Sequence, residues 1–141
     1  VVWCYLVFSH CRKISYISTH TYHYVQHDSN ITRKGFSEKK LSMLTAAEIL
    51  LKNSVQDSSA VRKQIISYIF MNFRGLSYEI KIAGRRYSRE YERIMQIFKG
   101  FHQEKLLSTK EEIHYYCLLI HPLADLLYSK MLTMLLSILR R

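Results

Sequence analysis

Between Phe73 and Gly100 the chain alternates apolar and polar positions, then meets a glycine followed by paired arginines. Leu76, Tyr78, Ile80 and Ile82 form the apolar set, with Ser77, Glu79 and Lys81 between them. A period of two marks a strand with one buried face. It predicts a strand closed by Gly84, with Arg85 and Arg86 at its exit, and with Ile80 and Ile82 both turned toward the core. Upstream the period changes. Val61, Ile65, Ile66, Ile69, Phe70 and Phe73 recur at spacings of three and four, which predicts an amphipathic helix capped from Asp57, Ser58 and Ser59 and stopped at Arg74-Gly75. A shorter helix is predicted from the Thr45–Glu48 capping box, with Ile49, Leu50 and Leu51 as its apolar content.

The flanking segments are less regular. Val1 to Phe8 is apolar but far too short to span a bilayer, and reads as a buried strand or a docking arm that inserts into a neighbouring protein. Because the chain begins with Val1, its true start is expected to be missing or processed, and targeting is not read from it. Ile14 to Val25 is β-branched and aromatic, hence strand-like, and His27 to Lys40 is a polar loop or linker. These features divide the chain into an N-terminal arm and linker over 1–43 and a main domain over 44–141. By its own residues the second half looks helical: Thr109–Glu112 forms another capping box, and residues 123–141 are long, apolar and basic at their end.

Charge narrows the function. A formal net charge of +10 points to a polyanionic partner, either nucleic acid or an anionic membrane surface. The 11 tyrosines interleave with lysine and arginine, a composition suited to stacking on unpaired bases. Arg62 and Lys63 sit near the start of their helix, where positive charge opposes the helix dipole; they are either solvated or reserved for a partner. Cys4, Cys11 and Cys117 share no CxxC spacing, and with His20, His23 and His27 they match no zinc finger, so no metal site and no disulfide framework is expected. Phosphate loops, HExxH and GxSxG are missing, so neither an enzyme nor a cofactor is expected.

The order helix, loop, longer helix, then a strand ending in Gly-Arg resembles the C-terminal domain of small-subunit ribosomal protein S-three. In that family a basic second helix leads into a strand that closes with Ser-Gly-Arg-Leu. Here RGLSYEIKIAGRR takes that place, with Ala83 for the serine and Arg86 for the leucine. Ser88 to Arg93 and Lys99-Gly100 follow at the matching distance, then Leu107-Ser108-Thr109 and Ile113-His114-Tyr115. The likeness runs from Leu44 onward. The family's KH module, with its Gly-x-x-Gly loop, has no counterpart, and Ala60 and Val61 stand where the basic pair tied to messenger entry would be.

The resemblance implies an α+β fold, with two helices packed on one face of a small, mainly antiparallel sheet and strands at IHYYCLLI and MLTMLLSI. It implies a non-enzymatic, RNA-binding constituent of a small ribosomal subunit, in a divergent mitochondrial form. Expected partners are small-subunit ribosomal RNA, neighbouring ribosomal proteins and messenger RNA near its entrance, with no small-molecule substrate. Arg62, Lys63, Arg85, Arg86, Arg89, Arg93 and Lys99 are the candidate phosphate contacts, which would fix position without reading sequence. Two alternatives stand beside it. One is an accessory subunit of a membrane-associated mitochondrial assembly, lying on lipid through residues 126–141 with Lys130, Arg140 and Arg141 near headgroups. The other is a free-standing, basic nucleic-acid-binding protein.

Overall fold

A computed structural model describes residues 2–15, 18–19 and 36–139, and all regular structure among them is helical. The elements are α1 (Val2–His10), α2 (Ser42–Asn53), α3 (Ser59–Ala83), α4 (Ser88–Gln103), α5 (Thr109–Ile120) and α6 (Pro122–Leu139). Short 3-10 turns occupy Glu38–Leu41, Ser54–Gln56 and Arg85–Tyr87. The expected α+β fold with an antiparallel sheet is therefore incorrect: the described residues contain no strand.

The cause lies in α3. Ile66, Ile69, Phe70, Phe73, Leu76, Ser77 and Ile80 are all buried, at intervals of one, three and four that only a helix places on one side. The alternation from Leu76 to Ile82 is a short coincidence inside this longer pattern. Positions two apart on a helix lie about 200° around the axis from one another. Accordingly Ile80 is buried while Ile82 is 67% exposed, where a strand would have buried both.

Gly75 does not stop the helix. It sits on the exposed side of α3, and a Cβ there would meet nothing within 4 Å. A mid-helix glycine costs about 1 kcal/mol. Burial of Phe73 and Leu76 on either side, at about 1.5–3 kcal/mol each, outweighs it. Gly84 does end the helix: its φ of 100° is open to glycine and strained for other residues, and its N–H still donates to the Ile80 carbonyl at 3.2 Å.

The caps are partly where the sequence put them. Ser58 Oγ accepts from the Val61 amide at 3.4 Å at the start of α3. The Thr45–Glu48 box is not a cap, since α2 begins three residues earlier at Ser42. The third box is displaced by one residue: Ser108 and Glu111, not Thr109 and Glu112, cap α5. The segments expected as strands at 113–120 and 131–138 are α5 and the outer half of α6, so helical preference prevails there.

α3 forms the axis of the packing. α4 folds back along it, packing the Phe98 ring against Phe70 at a tilt of 44° with centroids 4.6 Å apart, and burying Ile94 and Phe101. α2 contributes Leu44, Ala47 and Leu50. Tyr115 and Leu118 close the far side from α5. The arm is not a strand either: residues 2–10 form α1, whose Val2 and Tyr5 rest on the core, and the Tyr5 hydroxyl donates to Asp57 Oδ2 at 2.6 Å. Most of the segments read as a second strand and as a linker, 16–17 and 20–35, fall outside the described residues.

A continuous α3 makes distinct demands on neighbouring positions. Gly75→Ala should stabilise the protein by about 0.5–1 kcal/mol in urea unfolding, because it removes backbone freedom without a clash; destabilisation would mean that Gly75 is a turn. Ile80→Asp should cost several kcal/mol and Ile82→Asp less than about 1 kcal/mol, and equal costs would restore the strand.

Candidate polyanion-binding surface

Three of the seven candidate cations are occupied within the protein. Arg93 is bound to Glu48 of α2 through both Nε and Nη2. Arg86 Nη2 lies 3.3 Å from Glu38 Oε1, and Arg62 Nη2 lies 3.6 Å from Glu104 Oε2. Both partners of the Arg93 and Arg86 pairs keep about half or more of their side-chain surface in water, so each pair contributes under about 1 kcal/mol and orients its helix more than it stabilises it. Lys63, Arg85, Arg89 and Lys99 are exposed, and among the described residues none has an ion-pair partner.

The helices arrange those four in two places joined by a ridge. Arg85 and Arg89 stand together at the α3–α4 corner, which Gly84 forms. Arg62 and Lys63 stand near the other end of α3, about 30 Å away along the helix axis. α4 runs between the two ends, and the Arg62–Glu104 pair brings its C-terminal end alongside the start of α3. Burial of Ile94, Phe98 and Phe101 turns the opposite side of α4 to solvent, and Arg89, Glu92, Arg93, Gln96 and Lys99 occupy it.

Two further cations, which the sequence pattern did not single out, extend the ridge. Lys81, at the end of α3, lies over the Tyr91 ring at 4.9 Å. Lys105, exposed beyond α4, shares a hollow with Lys63. At the corner, Lys81, Arg85, Tyr87 and Tyr91 line an open hollow of about 420 Å³. Tyr87 is fixed there by donating to Glu38 Oε1 at 2.9 Å and by packing edge-on to Phe36 at 4.6 Å. The bond to Glu38 raises the Tyr87 phenol above its ordinary value of 10.0, and burial raises that of Tyr91. Cations flanking fixed tyrosine rings can neutralise phosphates while offering faces for bases to stack on. Lys81 lies inside the supposed strand, and the turn at Gly84 is what places it in the same hollow as Arg85.

The buried polar groups serve the fold. Asp125 receives His114 Nδ1 at 2.6 Å and Arg74 Nε at 3.0 Å, while Arg74 also donates to Ser129 Oγ at 3.1 Å. Ser129 Oγ in turn donates to the Asp125 carbonyl at 2.9 Å, and the His114 ring is edge-on to Tyr128 at 5.1 Å. The His114 imidazole is bonded to a carboxylate and to no hydroxyl, so the cluster does not form a nucleophile–base pair among the described residues. No group of histidine, cysteine and carboxylate side chains among those residues could hold a metal ion, and His20, His23 and His27 lie outside them. Comparison with family models, with curated proteins and with solved structures finds no match.

Glu111 gives this buried layer a pH dependence. Burial pushes its carboxyl up, but hydrogen bonds from Ser67 at 2.5 Å and from Ser108, with the charge of His114, more than offset this and hold it below 4.5. A lowered folded value means that Glu111 stabilises the fold above the ordinary carboxyl range and loses that contribution as pH falls through the folded value. Ser67→Ala should therefore cost about 1–3 kcal/mol at neutral pH. The deficit should shrink as pH falls below 4.5. A deficit independent of pH in thermal unfolding would show that Glu111 is not the titrating group.

Proposed function

We propose that this chain is a non-catalytic RNA-binding protein that grips the phosphate backbone along α4 and its two ends. The observation that carries the proposal is the set of cations without ion-pair partners among the described residues: Lys81 and Arg85 at the α3–α4 corner beside Tyr87 and Tyr91, Arg89 and Lys99 on the exposed side of α4, and Lys63 and Lys105 sharing a hollow at its far end. An intramolecular role would have matched these charges with carboxylates, as it does for Arg93, Arg86 and Arg62. Left exposed, they repel one another, and a polyanion relieves that repulsion while releasing its counterions.

The ribosomal version of this reading, a constituent of a mitochondrial small subunit near the messenger entrance, draws on the resemblance alone. That resemblance centres on a strand over 76–82, where the chain is helix. The class, RNA phosphate binding, is therefore proposed without the family. Unstructured RNA suits the tyrosines, since stacking requires open bases.

Filter binding to a mixed-sequence single-stranded RNA across a salt series tests the proposal. Replacing Arg85, Arg89 and Lys99 by Ala should lower the slope of log K against log salt by about 0.7 for each phosphate that is no longer neutralised. Arg93→Ala, which removes a side chain already held by Glu48, should change the slope less. A slope that the triple replacement leaves unchanged would take RNA off the α4 ridge.

A further inference from the structure

The outer half of α6 is apolar on a surface that the other described residues do not cover. Leu123, Leu127, Met131, Met134 and Ile138 recur at spacings of four and three, and each is between 48% and 66% exposed. α6 is about 27 Å long and α5, to which it is joined at His121, about 18 Å. Asp125 pins its first turn through Arg74 and His114; beyond Lys130 every described side chain except Leu132 is exposed. Tyr116 and Ile120 of α5 are also exposed. Soluble proteins rarely leave a contiguous apolar surface of this kind bare.

Charge selects the occupant. Between Leu126 and Arg141 there is no carboxylate, while Lys130, Arg140 and Arg141 are cationic. A second copy of the chain would bring two such cationic segments together with no acidic group between them. A hydrophobic layer under a negative surface matches both properties at once. No described helix is long and apolar enough to cross a membrane, so the mode considered for α6 is a helix lying in the plane of an interface. We propose that α6 is a docking helix for an anionic lipid bilayer: Leu127, Met131, Met134 and Ile138 enter the acyl boundary, and Lys130 reaches lipid phosphates. This surface is separate from the α4 ridge, so RNA and lipid binding can fail independently.

Flotation of the full chain with vesicles tests the proposal, using phosphatidylcholine alone and phosphatidylcholine mixed with phosphatidylglycerol. The chain should float with the mixed vesicles and remain behind with phosphatidylcholine. Met134→Asp combined with Ile138→Asp should reduce flotation by about tenfold or more. Because both positions are exposed, the thermal midpoint and the RNA salt slope should be retained. Lys130→Gln should weaken binding to the mixed vesicles only. Failure to float with either vesicle overturns the proposal, as does flotation that the double variant leaves intact. A concentration-dependent dimer abolished by the double variant also overturns it, and assigns the surface to a second copy.

Discussion

Burial along one side of α3 is the constraint from which the remaining structure follows. Seven of its side chains, from Ile66 to Ile80, are withdrawn from water, and α2, α4, α5 and α6 all pack against this helix. Each large apolar group among them is worth about 1.5–3 kcal/mol when fully buried. That total carries the helix across Gly75 despite the weak local propensity, and it keeps Ser77 inside only because its hydroxyl donates to the Arg74 carbonyl at 2.8 Å. The end of α3 at Gly84 fixes the corner, the corner sets the course of α4, and α4 displays the cations.

Electrostatics divides the basic residues into three sets. Arg74 is largely buried, and together with His114 it satisfies Asp125, so removal of any member leaves a charge or a strong donor unpaired inside the protein. Arg62, Arg86 and Arg93 clasp carboxylates on other segments at the surface. The cations of the ridge have no ion-pair partner among the described residues, and they outnumber Glu92, the carboxylate exposed beside them. The buried set holds α5 and α6 on the core, and the unpaired set supplies the proposed phosphate contacts. α6 then combines both: its first turn is fixed by Asp125, and its second half offers an apolar surface bordered by Lys130.

The sequence was informative where its signals were long or chemically specific. The 61–73 periodicity and the Ser58 cap are both present in the fold, and Gly84 does end an element there, though that element is a helix and not a strand. The segment from Leu76 to Ile82 misleads because seven residues are too few to separate a period of two from one of 3.6; extending the window back to Ile66 resolves it in favour of a helix. The resemblance to a ribosomal domain strengthens the same error, since it too requires a strand there and outweighs the helical character of 109–139. Arg85, Arg89 and Lys99 are legible as exposed cations. The pairing of Arg93 with Glu48 is not, because 45 residues separate them and only the packing of α4 beside α2 brings them together. Lys81 and Lys105 escape notice for a similar reason: one falls inside the supposed strand, and the other carries no local motif.

Amide hydrogen exchange across α3 tests the central claim most directly, because it reports backbone hydrogen bonding residue by residue without altering the chain. A single helix built on one buried stripe predicts strong, continuous protection from Ile66 to Ile80, with the amides of Arg74, Gly75 and Leu76 exchanging as slowly as their neighbours and rapid exchange beginning after Gly84. Fast exchange at Arg74–Leu76, followed by protection that alternates between successive residues up to Ile82, would mean that the helix stops at Gly75 and a strand follows. In that case the helical core and the course of α4 would both be wrong.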